Sequence, residues 1–188
     1  FQVQIDDSLS SSFKDFERFA ARKDWEKAFR AIGEIPSEKR VGMLKSSDGM
    51  ILPARLLLRQ VVADLPADGR EAFRVFFDAK ARELLSQINK EDAPPGEDVK
   101  IAQQVYDEYF LTSVGDDAAN LLGDAAFEQG DFRGAERHWR AILDHHPNTE
   151  LSELRIQVKR AIALLRAGRS KQFVAIVNDI QQRFPGEQ

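Results

Sequence analysis

The chain has 188 residues, of which 43% are hydrophobic and 31% charged, with a formal net charge of -4 and no cysteine. That length can bury a sizeable core in one or two domains, and the apolar content excludes a disordered chain. The missing cysteine excludes disulfides, thiolate metal sites and a cysteine nucleophile, and mild acidity without a long Lys/Arg run argues against nucleic acid as a partner.

The first six residues, "FQVQID", alternate Phe1, Val3 and Ile5 and predict one short strand. The chain starts at Phe1 without a signal peptide, as expected of a piece of something longer. From Phe13 the period becomes helical. In "FKDFERFAARKDWEKAFRAIGEIP", Phe13, Phe16 and Ala20, then Trp25, Ala28, Phe29 and Ile32, recur at intervals of three and four. This predicts a helical hairpin broken at Lys23 and Asp24 and stopped by Pro36. Residues 36–50, mixing Pro, Gly, Ser and Asp, predict a long loop.

A helix is expected from about Pro53 through "ARLLLRQVVADL" to near Pro66. Its apolar run is broken by Pro53, Arg55 and Arg59 and falls short of the roughly 20 residues that cross a bilayer, so no membrane span is expected. "GREAFRVFFDAKARELLSQI" follows as a longer helix with Phe73, Phe76, Phe77, Ala81, Leu84 and Leu85 on one side. "NKEDAPPGED", residues 89–98, is the strongest break in the pattern. It divides an irregular helical half, 1–90, from a second half, 99–188, with 91–98 as linker. The second half opens on "VKIAQQVYDEYF", where Val99, Ala102, Tyr106, Tyr109 and Phe110 cluster.

In "LLGDAAFEQGDFRGAERHWRAILDHHP", Leu122 and Gly123 are followed by Ala125 and Phe127, then Gly130-Asp131-Phe132, Ala135, Trp139, Leu143 and Pro147. Gly123 and Ala135 lack bulk where two helices would approach, and Leu122, Phe132 and Trp139 fill the space around them. Gly130 supplies a helix stop and Asp131 a cap. This stretch resembles the tetratricopeptide repeat of about 34 residues. The resemblance covers 116–147 most fully. It extends to 154–185, where Pro185, Gly168 and Ala161 recur but Phe173 replaces a small residue, so those helices are expected to splay. A weaker echo lies at 9–36, with "KDW" at the turn and Phe16 at a small position.

The tetratricopeptide resemblance implies a right-handed α-α superhelix. With the periodicity of the whole chain, this predicts an all-α fold of about nine helices. The elements "LPA", "GREAFR", "YFLTSVGD" and "GDF" within 51–147 are also similar to the helical N-terminal region of bacterial proteins, common in planctomycetes, that continue into a pyrroloquinoline-quinone-type β-propeller resembling the assembly factor BamB. That resemblance implies an extracytoplasmic location, in periplasm or envelope. It covers helical residues only, so it implies no quinone site.

Candidate chemistry is sparse. His138, His145 and His146 lie on one helix, but the first two are two turns apart and the last two point in different directions, so no metal site is expected. Asp6-Asp7, Glu97-Asp98 and Asp116-Asp117 sit where helices begin and are read as caps rather than acid/base pairs. Ser113 and Asp116 approximate a capping box. No nucleophile elbow or phosphate loop is present in the sequence, so no catalytic residue and no cofactor are expected.

In a tetratricopeptide hairpin the first helix faces the concave surface. By position the resemblance places Asp117, Asn120, Asp124, Phe127 and Glu128 there, with Arg155 from the next repeat. Such an acidic wall around one aromatic would receive a basic or extended peptide; the family's clamp for a C-terminal carboxylate needs basic residues instead. The last helix, "KQFVAIVNDIQQRF", carries Phe173, Val174, Ile176, Val177, Ile180 and Phe184, more apolar surface than one hairpin buries. A following domain of the same polypeptide, or a second copy forming a homodimer, is expected to cover it. The function expected is a non-catalytic interaction or scaffolding module, the helical arm of a larger extracytoplasmic protein. The alternatives are a substrate-positioning domain of a propeller enzyme and a stand-alone envelope assembly adaptor.

Overall fold

Helical periodicity becomes nine helices in the computed structural model, which describes residues 7–35, 42–45, 49–88 and 96–186. The fold is all-α, with one small ribbon among the described residues. The strand expected at 1–6, Asp6, the Pro36 stop and most of the Pro/Gly break at 89–98 lie outside the described residues. Two compact units divide the chain. One takes residues through Lys80 together with Asp107–Thr112; the other takes Ala81–Tyr106 and Ser113 onward.

In the first unit, α1 (Asp7–Ala20) and α2 (Trp25–Gly33) form a hairpin. Of the stripe their spacing predicts, Phe13 and Phe16 on α1 and Ala28, Phe29 and Ile32 on α2 are buried and Ala20 and Trp25 half-buried; Leu9 is buried as well. Phe29 is the hub. Its ring lies 6.2 Å from Phe16, 6.1 Å from Trp25 and, on α4 (Ala67–Leu85), 5.4 Å from Phe73 and 5.9 Å from Phe77. Gly69 on α4 makes room for this cluster, since a Cβ there would stand 2.9 Å from the Trp25 indole.

The stretch 36–50, expected to be one loop, contains a strand. β1 (Met43–Lys45) pairs antiparallel with β2 (Ile51–Pro53), with Leu44 opposite Leu52. Strands of three residues are too short to announce themselves by alternation, although Leu44 is buried. Pro53 then caps α3 (Ala54–Ala63), which starts one residue later than its proline suggests.

The second unit contains all but the last two residues of α5 (Glu97–Glu108), with α6 (Gly115–Glu128), α7 (Phe132–His145), α8 (Glu153–Arg166) and α9 (Ser170–Arg183). α5 begins within the expected linker, with Glu97 and Asp98 in its first turn, where acids favour the positive end of the helix dipole. Helices α6 to α9 are each 14 residues long, and α8 and α9 repeat α6 and α7 at an offset of 38 residues.

One turn occurs three times. Lys23, Gly130 and Gly168 adopt positive φ of 58°, 81° and 73°. In each turn that residue's N–H donates three residues back, and the next N–H donates five residues back, to Phe19, Ala126 and Leu164. These bonds close the helix end, and two of the turns use glycine because an L side chain disfavours the left-handed region. Asp24 and Asp131 then cap the following helices, accepting from the N–H groups of Lys27 at 3.4 Å and Gly134 at 2.9 Å.

Candidate partner-binding face of α6 and α8

The α6–α7 hairpin closes on Gly123. A Cβ there would land on Nε1 of Trp139 and 2.6 Å from its Cε2, so only glycine lets α7's indole lie flat against α6. Trp139 and Ala135 are buried, and the Phe127 ring leans on Phe132 at 5.1 Å and on Trp139 at 6.0 Å. Phe127 is therefore a half-buried wall of the hairpin rather than a free aromatic in a groove.

The capping box expected from Ser113 and Asp116 does not form, because α6 begins at Gly115 with Val114 at its cap. Asp116 is only 3% exposed and serves another purpose. Its carboxylate accepts from the N–H of Asp117 at 3.1 Å and from the Thr149 hydroxyl at 2.7 Å. The Thr149 oxygen in turn accepts from the N–H of Leu151, and His146 Nε2 stands 3.8 Å from Asp116. This buried network ties the start of α6 to the connection between α7 and α8. Beside it, burial pushes the Asp117 carboxyl above its usual value; the Asp116 and Glu150 charges add to the rise and His146 opposes it.

Of the six residues placed on the groove from sequence, Asn120 and Asp124 are drawn together by a residue that reading left out. Lys159 Nζ on α8 donates to Asn120 Oδ1 at 2.9 Å and to both Asp124 oxygens at 2.6 and 2.9 Å, and it sits 5.4 Å from the centre of the Trp139 ring. Asp117 stands apart from them, half-buried near Asp116, and Glu128 is exposed at the end of α6. Arg155 is exposed on α8 and, among the described residues, meets no carboxylate. Of the expected acidic wall, Asp124 is thus compensated by the chain's own lysine, and Asp117 and Glu128 are not joined to it.

The 38-residue offset shows what continues that face. It sets Arg155, Val158, Ile162, Leu165 and Arg166 on α8 where α6 carries Asp117, Asn120, Asp124, Phe127 and Glu128. Val158, Ile162 and Leu165 are 41%, 45% and 52% exposed, large apolar side chains in the open. The repeat spacing contained this stripe, but position-by-position transfer stopped at Arg155. On the other side of α8, Arg160 donates to Glu136 of α7 through Nε at 3.2 Å and Nη2 at 2.9 Å, with both side chains 13% exposed. That pair holds the second hairpin on the first.

Helix α9 has no fully buried residue, and Val174 is more than half exposed. The histidines stay apart in role. His138 stacks edge-on to Tyr106 at 5.0 Å, His145 is exposed in the last turn of α7 and His146 is held near Asp116. Among the described residues no three metal-binding side chains converge.

In the first unit a shallow hollow of about 450 Å³ lies between α2 and α4 against Trp25, Phe29, Val75 and Phe76. Two of its rim carboxylates are engaged, Asp68 by Lys23 at 3.1 Å and Glu26 by Arg30 at 2.6 Å. Among the described residues no helix is long and apolar enough to cross a membrane. Compared with family models, curated proteins and solved structures, the chain matches none of them.

Proposed function

We propose that the chain is a non-catalytic protein-interaction module whose binding face is the side of α6 and α8 that their own hairpins leave open. The observation that carries this reading is the Val158–Ile162–Leu165 stripe. Three large apolar side chains spaced by helical turns stand exposed on a helix whose opposite side is anchored to α7 by the Arg160–Glu136 pair. A face held rigid from behind and left apolar in front is suited to receive a partner without paying for its own ordering.

The resemblance of 51–147 to the helical arm of extracytoplasmic propeller proteins supports placing the module in a larger envelope polypeptide. In that setting the half-exposed outer side of α9, with Val174 uncovered, is where a following domain or a second copy would pack. The test is affinity capture from envelope extract with the full chain and with Ile162→Glu/Leu165→Glu, both monitored for helicity. A protein retained by the first and lost by the second supports the reading. Identical captured sets overturn it.

A further inference from the structure

The exposed stripe lies in a hairpin of unusual charge. From Glu153 to Arg183 there are seven basic residues and two acidic ones, whereas from Gly115 to His145 there are three basic and seven acidic. The second hairpin spends some of its cations internally. Lys159 is held by Asp124, Arg160 by Glu136, and Arg183 by Glu153 at 2.5 Å and Asp179 at 3.5 Å. Both of the hairpin's own acids are consumed by Arg183.

Arg155, Arg166, Arg169 and Lys171 remain, and none of them meets a carboxylate among the described residues. Arg166 lies over the Phe132 ring at 5.7 Å, and Arg169 donates to Gln172. Two of the four are placed to act with the apolar stripe. Arg155, Val158, Ile162 and Arg166 succeed one another at steps of three and four along α8, so the arginines bracket the apolar residues on one face.

From this juxtaposition we infer that the open face of α8 binds an acidic amphipathic helix of a protein partner, its apolar ridge on Val158, Ile162 and Leu165 and its carboxylates on Arg155 and Arg166. This rests on the reading that the α6–α8 face is a binding surface, and it reverses the polarity that the acids of α6 suggest from sequence. A basic peptide would have to compete for Asp124 with Lys159, which already donates to both of its oxygens. A helix suits the site because the stripe repeats at helical steps, as in helix-in-groove recognition. Arginine forks give the carboxylates bidentate partners, and the apolar contact supplies the non-directional part of the affinity.

The test uses the full chain and a synthetic 18-residue amphipathic peptide with leucines at helical spacing flanked by glutamates, with a lysine-for-glutamate version as control. Fluorescence anisotropy is expected to show the glutamate peptide binding at least about tenfold tighter than the lysine peptide, and weakening several-fold as salt rises. Arg155→Glu/Arg166→Glu should abolish or invert the preference, and Ile162→Asp should weaken both peptides; all three positions are exposed, and circular dichroism checks the fold. Equal or better binding of the lysine peptide, or glutamate-peptide binding that ignores these substitutions, overturns the inference. So does absence of peptide binding with adsorption to phosphatidylglycerol vesicles lost in Arg155→Glu/Arg166→Glu, which would make the face a lipid-binding surface. If extract capture depends on Ile162 and Leu165 while the peptide preference fails, the binding face stands and its acidic partner falls. If both fail, so does the binding face.

Discussion

Gly123→Ala tests the geometry on which the α6–α7 hairpin depends. On an isolated helix the change is favourable by about 1 kcal/mol, because alanine is the better helix former. Here the added methyl meets a rigid bicyclic ring rather than the end of a flexible chain, with Trp139 Cε2 and Cδ1 at 2.6 and 2.7 Å from the new carbon. Trp139 is 2% exposed and walled by Phe127, so it cannot swing out without opening the hairpin. Overpacking of this kind costs about 3 kcal/mol at the upper end of its usual range, leaving a net loss of about 2 kcal/mol. For a chain of this size that lowers Tm by roughly 4–8 °C. The melt is best followed by tryptophan fluorescence in a Trp25→Phe background, where Trp139 is the only reporter. Gly123→Ala/Trp139→Phe should recover about 1 kcal/mol or more relative to the summed single changes. An unchanged or raised Tm for Gly123→Ala would refute the close approach.

The repeated turn gives a second set of outcomes. Gly130→Ala and Gly168→Ala should each cost about 1–2 kcal/mol, since each forces an L residue to positive φ, while Lys23→Gly should be neutral or gain up to about 1 kcal/mol in chemical denaturation. Glu136→Ala leaves a half-buried guanidinium short of its forked partner and should cost about 2 kcal/mol, a loss that Arg160→Met/Glu136→Met largely reverses if the pair anchors α8. Asp117 has a carboxyl raised by burial and by Asp116 and Glu150, so its ionisation works against the native state. That cost is absent when acid protonates it in both states, sets in above the ordinary value of 3.8 and is complete once pH exceeds the raised value. Asp117→Asn should therefore raise Tm at about pH 7 and lose that gain on acidification; a pH-independent difference would contradict the assignment.

The sequence makes the helices legible because their cores are periodic. Spacing alone places Phe13, Phe16, Phe29, Phe73 and Phe77 on buried faces, and all are buried, whereas Phe76, placed on the same stripe, is 41% exposed. Gly130 and Asp131 likewise declare their turn and cap, because each residue type has one local use. Long-range pairings leave no such mark. Nothing in "DD" at 116–117 tells that Asp116 will take the Thr149 hydroxyl from 33 residues away. Nothing in the spacing of Lys159 tells that it will cross to Asp124, because a lysine on α8 reads as a solvated face. The same limit hid the partner of Asp124, whose acid is visible in the sequence and whose counter-ion is not. The break at Lys23 and Asp24 is legible too, but a lysine does not announce the positive φ it adopts there. The turn's hydrogen bonds outweigh the modest penalty of a left-handed lysine, so the residue type misleads.

Lys159 is also where stability and recognition can be separated. Its ion pair with Asp124 is partly exposed on both sides, 27% and 42%, and such pairs contribute about 1 kcal/mol or less. Removing it by Lys159→Met keeps an unbranched side chain at that position and leaves the Asp124 carboxylate without its cation. Coulomb repulsion from that carboxylate should weaken an acidic peptide several-fold and strengthen a lysine-rich one, with Tm changing by no more than roughly 2–4 °C. The two readouts divide the possibilities cleanly. A large fall in Tm with peptide binding intact would make Lys159 a structural strut and remove it from the recognition argument. A reversed preference with little change in Tm would show that one lysine on α8 sets the charge its partner must carry.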